Sequence, residues 1–146
     1  MAVLDIRLQN AWISAVKSWN NKNGLTPFLT CTYRSPEEQN SDYAKGRTVL
    51  NPPATHDHPL GHIVTNAKAF QSPHNFTPAQ AFDFAFEKMV NGKWVAVWDE
   101  EESYAEFRKI ILLADNTLIS GAAFKGIVDA DHIETPDWRT MKIKTA

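Results

Sequence analysis

The chain contains a single cysteine, Cys31, so it can form neither an internal disulfide nor a zinc cluster built on several thiolates. A domain that folds without disulfides is typical of a reducing cytosol. The sequence also lacks a basic and then apolar N-terminal segment of the kind that directs secretion, and it lacks an apolar run long enough to span a bilayer. These absences predict a protein made in the cytoplasm without a signal peptide or a membrane anchor.

Charge of either sign is not in excess. The formal net charge is −2, which provides no concentrated basic face for nucleic acid and no polybasic membrane-binding segment. With 43% hydrophobic and 22% charged residues over 146 positions, the composition is that of one folded domain rather than a disordered chain. We therefore expect a single domain over residues 1–146 that binds no nucleic acid.

Helices are predicted from hydrophobic spacing and from capping residues. Apolar residues recur at three- and four-residue steps over residues 3–20, and Gly24 suits the end of that helix. Ser35 and Glu38 form a capping box that begins a second helix, running to about residue 46. Asp99 is the expected cap of a third helix.

Strands are predicted between these helices. The Asn91-Gly92 pair indicates a hairpin turn between two strands. The expected strands are residues 28–33, 81–87 and 93–98, followed by a final strand and turn within residues 131–138. Helices and antiparallel strands in this mixed order predict an α+β domain with a small antiparallel sheet and flanking helices.

Two segments carry residues of the kind that hold zinc. Residues 72–83 read SPHNFTPAQAFD and offer His74 on a loop and Asp83 on the following strand, while residues 129–134 read DADHIE and offer His132. Three nitrogen or oxygen ligands with an open fourth position are typical of catalytic zinc. The sequence thus predicts a catalytic rather than a structural metal site.

With these segments in place, the chain resembles the M15 zinc peptidases, which include D,D-carboxypeptidases and phage L-alanyl-D-glutamate endopeptidases. The resemblance extends from about residue 28 to residue 134 and depends on four blocks in order. They are YRSPEEQ at 33–39, VTNA at 64–67, Ser-x-His followed by Ala-x-Asp within 72–83, and Asp-x-x-His at 129–132.

The resemblance implies a hedgehog/D-Ala-D-Ala peptidase-like fold and a role for each matching residue. It implies that His74, Asp83 and His132 bind zinc, and that Asp129 is the general base that takes a proton from the attacking water. The remaining implied site residues are Arg34, which would bind the substrate's carbonyl oxygen or carboxylate, and Ser72 and Gln39, which would support the site or the substrate by hydrogen bonds.

One spacing departs from the family pattern. The family usually places six residues between its first His and Asp ligands, whereas eight lie between His74 and Asp83 in this chain. Because two additional loop residues cost little closure entropy, we expect a longer turn that keeps both ligands in place.

As a function, the resemblance implies a peptidoglycan peptidase. The best match is a monomeric phage endolysin that cuts the L-alanyl-D-glutamate bond of the stem peptide, without a separate cell-wall-binding domain, in the periplasm after holin-dependent release. A D-alanyl-D-alanine carboxypeptidase or dipeptidase is an alternative within the enzymes. A catalytically silent zinc-binding module on the same fold is an alternative of another class.

Two further features are interpreted as outside the metal site. His56, His58 and His62 lie in a proline-rich loop over residues 47–62, which we interpret as a rim of the substrate groove rather than a second metal site. Asp131, adjacent to His132, should point away from it and serve as a solvated or structural carboxylate.

Overall fold

The computed structural model describes residues 4–123 and 131–141. Its longer elements are three helices and five strands. In chain order they are α1 (Ile6–Trp19), β1 (Thr26–Cys31), α2 (Pro36–Ala44), β2 (Ala81–Val90), β3 (Lys93–Val97), α3 (Glu101–Ala114), β4 (Ile119–Ser120) and β5 (His132–Glu134).

Helix α1 confirms the predicted first helix, with small shifts at its ends. Asp5 precedes it and its side chain accepts a hydrogen bond from the backbone N–H of Arg7. The prediction that Gly24 ends the helix is wrong. The helix ends at Asn20, whose φ of 49° is left-handed and whose N–H donates to Val16, while Gly24 closes a separate 3-10 turn.

Helices α2 and α3 begin near their predicted caps. The Ser35 hydroxyl accepts from the N–H of Glu38 at 3.1 Å, as the capping pattern predicts. The prediction that Asp99 caps α3 is wrong by one position, because the first hydrogen bond there runs from the N–H of Tyr104 to the carbonyl of Glu100.

Strand β2 is the centre of the antiparallel sheet. It pairs with β1 along one edge, and its other edge is shared by β5 at residues 81–83 and by β3 at residues 86–90. The β2–β3 hairpin turns through Asn91 and Gly92, both with positive φ, as the sequence predicted. Strand β4 pairs with the outer edge of β5.

The two faces of β2 have different partners because successive side chains alternate. Phe82, Phe84 and Phe86 are fully buried and form edge-to-face and tilted ring contacts with aromatic residues of α1 and α3. Those aromatic partners are Trp12, Trp19, Tyr104 and Phe107. The other face presents Ala81, Asp83 and Ala85. Because the neighbours of Asp83 on this face are two alanines, they leave room around its carboxylate.

The fold is therefore the predicted single α+β domain with a small antiparallel sheet and flanking helices. The helices cover the phenylalanine face of β2, which leaves the Asp83 face for the residues described next. Within the described part of the chain, no helix is long and apolar enough to cross a membrane.

Candidate metal site

A row of three polar side chains crosses the sheet on the face opposite the aromatic core. Asp83 on β2 is the cross-strand neighbour of Cys31 on β1 and of His132 on β5. The register shift between Leu29 and Cys31 brings the thiol into this row. Three strands that are distant in sequence thus bring a thiol, a carboxylate and an imidazole together.

His74 approaches the same carboxylate from a short 3-10 turn, Pro73–Asn75. The Ser72 hydroxyl accepts from the N–H of His74 at 3.3 Å and so fixes the start of this turn. The His74 carbonyl in turn accepts from the N–H of Arg34 at 2.9 Å. The longer turn between His74 and Asp83 is tied to the domain, since the N–H of Gln80 donates to Pro73. Both residues therefore meet despite their longer spacing, as predicted.

The hydrogen bonds of His74 decide which of its ring nitrogens is available. Nδ1 lies 2.8 Å from the carbonyl oxygen of Thr32. A carbonyl can only accept, so Nδ1 carries a hydrogen and Nε2 carries the lone pair of the neutral ring. Nε2 is buried, 3.4 Å from an Asp83 oxygen, and has no hydrogen-bond partner among residues 4–123 and 131–141. A buried nitrogen of this kind fits a metal ligand.

His132 is held in the opposite tautomer by Glu134, whose carboxylate is 2% exposed. Nε2 of His132 lies 3.0 Å from Oε1 of Glu134, and the other Glu134 oxygen accepts from the indole N–H of Trp138. Nε2 therefore donates, and Nδ1 faces Oδ1 of Asp83 at 2.9 Å. Sequence reasoning missed Glu134, although its position two residues after His132 on a strand places both on one face.

Protons and a metal ion would compete for the same atoms. Burial by itself would lower the pKa of His74, but the neighbouring Asp83 carboxylate and Cys31 thiol outweigh burial and raise that pKa to about 10. Burial would also lower the pKa of His132, but Asp83 and Glu134 outweigh burial and raise that pKa to about 9. Burial would raise the pKa of Asp83, yet both histidines hold it well below its usual range. A divalent cation would replace these protons.

Two different sets of side chains could bind a metal ion together with Asp83. Cys31, His74 and Asp83 offer ligand atoms within 4.8 Å of one another, a group compatible with zinc. The sulfur, however, lies 3.6 Å from Nδ1 of His74, the nitrogen that already donates to Thr32. The lone pairs of His74 Nε2 and His132 Nδ1 instead face Asp83. We therefore expect His132 to complete the ligand set and Cys31 to lie beside it.

Replacing Cys31 by alanine distinguishes between these two candidate sets of metal ligands. We expect Cys31→Ala to keep one metal per chain and to change the metal affinity by less than about tenfold, below the cost typical of losing an outer-shell partner. Titration with Co²⁺ followed by absorption spectroscopy provides the measurement, with Cys31→Ser as the conservative control. A thiolate-to-cobalt charge-transfer band that disappears in the variant would make Cys31 a ligand and contradict this assignment.

Replacing Glu134 by glutamine tests the tautomer of His132. The amide nitrogen of glutamine cannot accept from Trp138 while its oxygen accepts from His132, so one buried partner is lost. We expect metal affinity to fall by about 10- to 100-fold, the usual cost of removing a carboxylate that orients a metal-binding histidine. Competition with a chromogenic chelator measures this fall, and Glu87→Gln on β2 is the control. Unchanged affinity would show that Glu134 does not orient His132.

Arg34 and Gln39 lie next to this site and contact each other. The Arg34 guanidinium donates to Oε1 of Gln39 at 3.1 Å and reaches Cys31 Sγ at 3.6 Å, while its Nε lies 3.7 Å from Asp42. Gln39 is fully buried and also donates to the carbonyl of Ala67. The arrangement fixes a permanent cation at the edge of the metal site.

Other predicted residues lie elsewhere or are not described. Asp129, the predicted general base, falls outside the described residues. Asp131 borders a separate cavity with Tyr104 and Arg108 of α3.

The loop histidines form no part of the metal group found among the described residues. His58 and His62 pack with ring centroids 4.2 Å apart, and His56 is exposed. The predicted role of this loop as a groove rim stays a prediction.

Comparisons with known proteins bear on the fold. No family model and no curated protein matches the chain. Among solved structures, the chain is similar to the crystal structure of the Serratia marcescens L-Ala D-Glu endopeptidase ChiX, with a TM-score of 0.64 and 14% sequence identity. The match covers 94% of this chain and 84% of that chain. The similarity shows that this chain shares its fold with that endopeptidase, in agreement with the expected peptidase-like fold.

Proposed function

We propose that the protein is a zinc-dependent peptidoglycan peptidase of the M15 type that hydrolyses the L-alanyl-D-glutamate bond of the stem peptide. The observation that carries this proposal is the convergence of His74 Nε2, the Asp83 carboxylate and His132 Nδ1 on one face of the sheet. The shared fold with an enzyme described as an L-Ala D-Glu endopeptidase supports the choice of substrate.

The proposed chemistry assigns a task to each residue. His74, Asp83 and His132 hold the metal, and Glu134 and Thr32 orient the two imidazoles. When bound, zinc would lower the pKa of a water molecule toward about 7 and would polarise the scissile carbonyl. Asp129 lies three positions before His132 and takes the proton of the attacking water, then passes it to the leaving amine.

Arg34 supplies the substrate-binding charge in this proposal. Its guanidinium is held by Gln39, lies within reach of Cys31 and has its Nε 3.7 Å from Asp42, so it borders the Asp83 row. Such a donor suits a substrate carbonyl oxygen or a carboxylate of the stem peptide. Ser72 contributes indirectly, because its hydroxyl fixes the turn that carries His74.

The biological role that we propose is that of a phage endolysin. We propose a monomer made in the host cytoplasm that reaches the wall in the periplasm after holin-dependent release. The proposed catalytic domain spans residues 1–146. The partner is then the peptidoglycan stem peptide, and the net charge of −2 fits a protein that does not bind nucleic acid.

Digestion of purified peptidoglycan sacculi tests this proposal. We expect the zinc-loaded protein to release fragments with a new N-terminal D-glutamate, detected by mass spectrometry, and Asp83→Ala to release none. Release of free D-alanine instead would identify the carboxypeptidase alternative. No release of any fragment by a zinc-loaded, folded protein would favour the catalytically silent zinc-binding module.

A further inference from the structure

Strand β3 forms an open edge of the sheet. It pairs with β2 on one side, and no strand pairs with its other side within residues 4–123 and 131–141. Trp94 on this strand is 55% exposed, and Trp98, directly after it, is 62% exposed. An open edge usually carries charged residues or proline, which prevent another chain from pairing with it. Residues 94–98 read WVAVW and carry neither.

Alternate residues of β3 direct their backbone groups out of this edge. The backbone of Val97 faces β2, because its carbonyl and the N–H of Phe86 meet at the Tyr104 hydroxyl. Backbone hydrogen-bonding direction alternates along an antiparallel strand, so Trp94 and Ala96 direct their N–H and C=O groups away from β2. In the part of the chain that the structure describes, no backbone group accepts from or donates to them on that side. These groups are available to a further strand.

The segment around Ala96 is complementary to a second copy of itself. In an antiparallel pair of β3 strands with a two-fold axis at Ala96, Trp94 lies opposite the partner's Trp98, and Val95 lies opposite the partner's Val97. Ala96 then lies opposite the same residue of the partner, and the two alanines exchange both of their outward hydrogen bonds. Large apolar residues thus meet large apolar residues along the whole contact.

Charge is matched in the same register. One position outside the tryptophans, Lys93 lies opposite the partner's Asp99. Both side chains are exposed, and among the residues that the structure describes neither forms an ion pair within its own chain. Opposite charges on directly opposed residues stabilise strand pairing, whereas like charges weaken it. The register that joins the outward backbone groups is therefore also the one that joins lysine to aspartate.

We propose that two copies of this chain associate through their β3 edges, antiparallel and with Ala96 at the two-fold axis. A two-fold interface requires a surface that is complementary to itself, and the segment KWVAVWD provides one. The two five-stranded sheets then form one continuous sheet. Because the axis is perpendicular to that sheet, the Asp83 rows of both copies face the same side.

Association through a single edge should be reversible. The contacting segment has seven residues in each copy. A stable interface has about 20 to 30 residues on each side, so the monomer should prevail in dilute solution. Sedimentation velocity of the full chain measures the equilibrium, and we expect a Kd between about 10 μM and about 1 mM. A chain that stays monomeric up to about 1 mM would overturn the proposal.

Charged variants of Ala96 test the register. Because Ala96 lies opposite itself, Ala96→Lys places two like charges at the axis and should weaken association at least about tenfold, or about 1.4 kcal/mol. Ala96→Glu alone should do the same. An equimolar mixture of these two variants should associate at least as tightly as the wild type, because opposite charges then meet. A mixture that remains monomeric would overturn the proposal, since no other register brings residue 96 opposite itself.

Two controls separate edge pairing from other causes of association or its loss. Ala96→Ser is neutral and should keep the dimer. Leu113→Lys adds the same charge on α3, where Leu113 is 85% exposed outside the hairpin, and should also keep the dimer. An equal loss in Leu113→Lys would indicate unspecific association and reject the β3 interface. The wild type and all variants are measured without substrate, so the result does not depend on the proposed function.

Discussion

Replacing Asp83 by alanine is expected to remove the metal and with it all measurable hydrolysis. The Asp83 carboxylate lies between two imidazoles, 3.4 Å from Nε2 of His74 and 2.9 Å from Nδ1 of His132. Without it the two rings lose a negative charge that faces both of their lone pairs. We expect the metal affinity to fall by more than the 10- to 100-fold (about 1.4 to 2.8 kcal/mol) that removal of an outer-shell partner costs.

Metal content and peptide hydrolysis, measured on the same preparation, check this expectation. Glu87→Ala is the matched control, because Glu87 is on the same strand and the same face as Asp83 but outside the metal group. It should keep the metal and its activity. A folded Asp83→Ala protein that still carries stoichiometric zinc would contradict the ligand assignment.

The affinity for zinc should also depend on pH in a defined direction. In the metal-free protein, His74 and His132 have pKa values raised to about 10 and about 9, so binding near neutral pH displaces their protons. Affinity should therefore strengthen as pH rises and level off above about 10. The metal-free fold behaves oppositely, because the stabilisation from each raised histidine pKa is complete below about 6.5 and is lost as pH rises through the folded value.

Asp129→Ala should have the second largest effect, and it should act on turnover alone. A general base contributes about 10²- to 10⁴-fold to rate, while a residue that is not a ligand contributes little to metal binding. We expect the variant to keep one zinc per chain and to lose turnover within that range. Measuring the rate constant and the zinc content of one sample separates the two effects.

Asp131→Ala is the control for Asp129 because it introduces the same change two residues away. Asp131 borders the cavity that Tyr104 and Arg108 of α3 also line, rather than the Asp83 row, so cleavage of a soluble stem peptide should continue. Loss of zinc from Asp129→Ala would identify Asp129 as a ligand and reverse its assigned role. Full activity of Asp129→Ala would require another base.

Local patterns predicted most of the fold because each depends on neighbouring residues. The Asn91-Gly92 hairpin was predictable because this pair of residues tolerates the positive φ values that the turn requires. The Ser35 cap was predictable because its hydroxyl lies three residues before the N–H of Glu38 that it accepts from. The cap of α3 was placed one residue early, at Asp99. There the exit from β3 and the Tyr104–Val97 hydrogen bond set where the helix begins, which capping preference alone does not encode.

The site was harder to predict because it depends on register between distant strands. Ligand types and spacing indicated His74, Asp83 and His132, and the structure brings all three together. Cys31 was assigned no role in the site, since nothing in the sequence shows the register shift that aligns it with Asp83. Glu134 could have been found from strand alternation after His132, but its burial against Trp138 appears only in three dimensions.

Anomalous diffraction at the zinc absorption edge, from crystals of the zinc-loaded protein, tests the central claim most directly. We expect one peak per chain, bonded to Nε2 of His74, a carboxylate oxygen of Asp83 and Nδ1 of His132, with Cys31 Sγ outside bonding distance. A peak bonded to the Cys31 sulfur in place of His132, or a peak held by His58 and His62, would contradict the account.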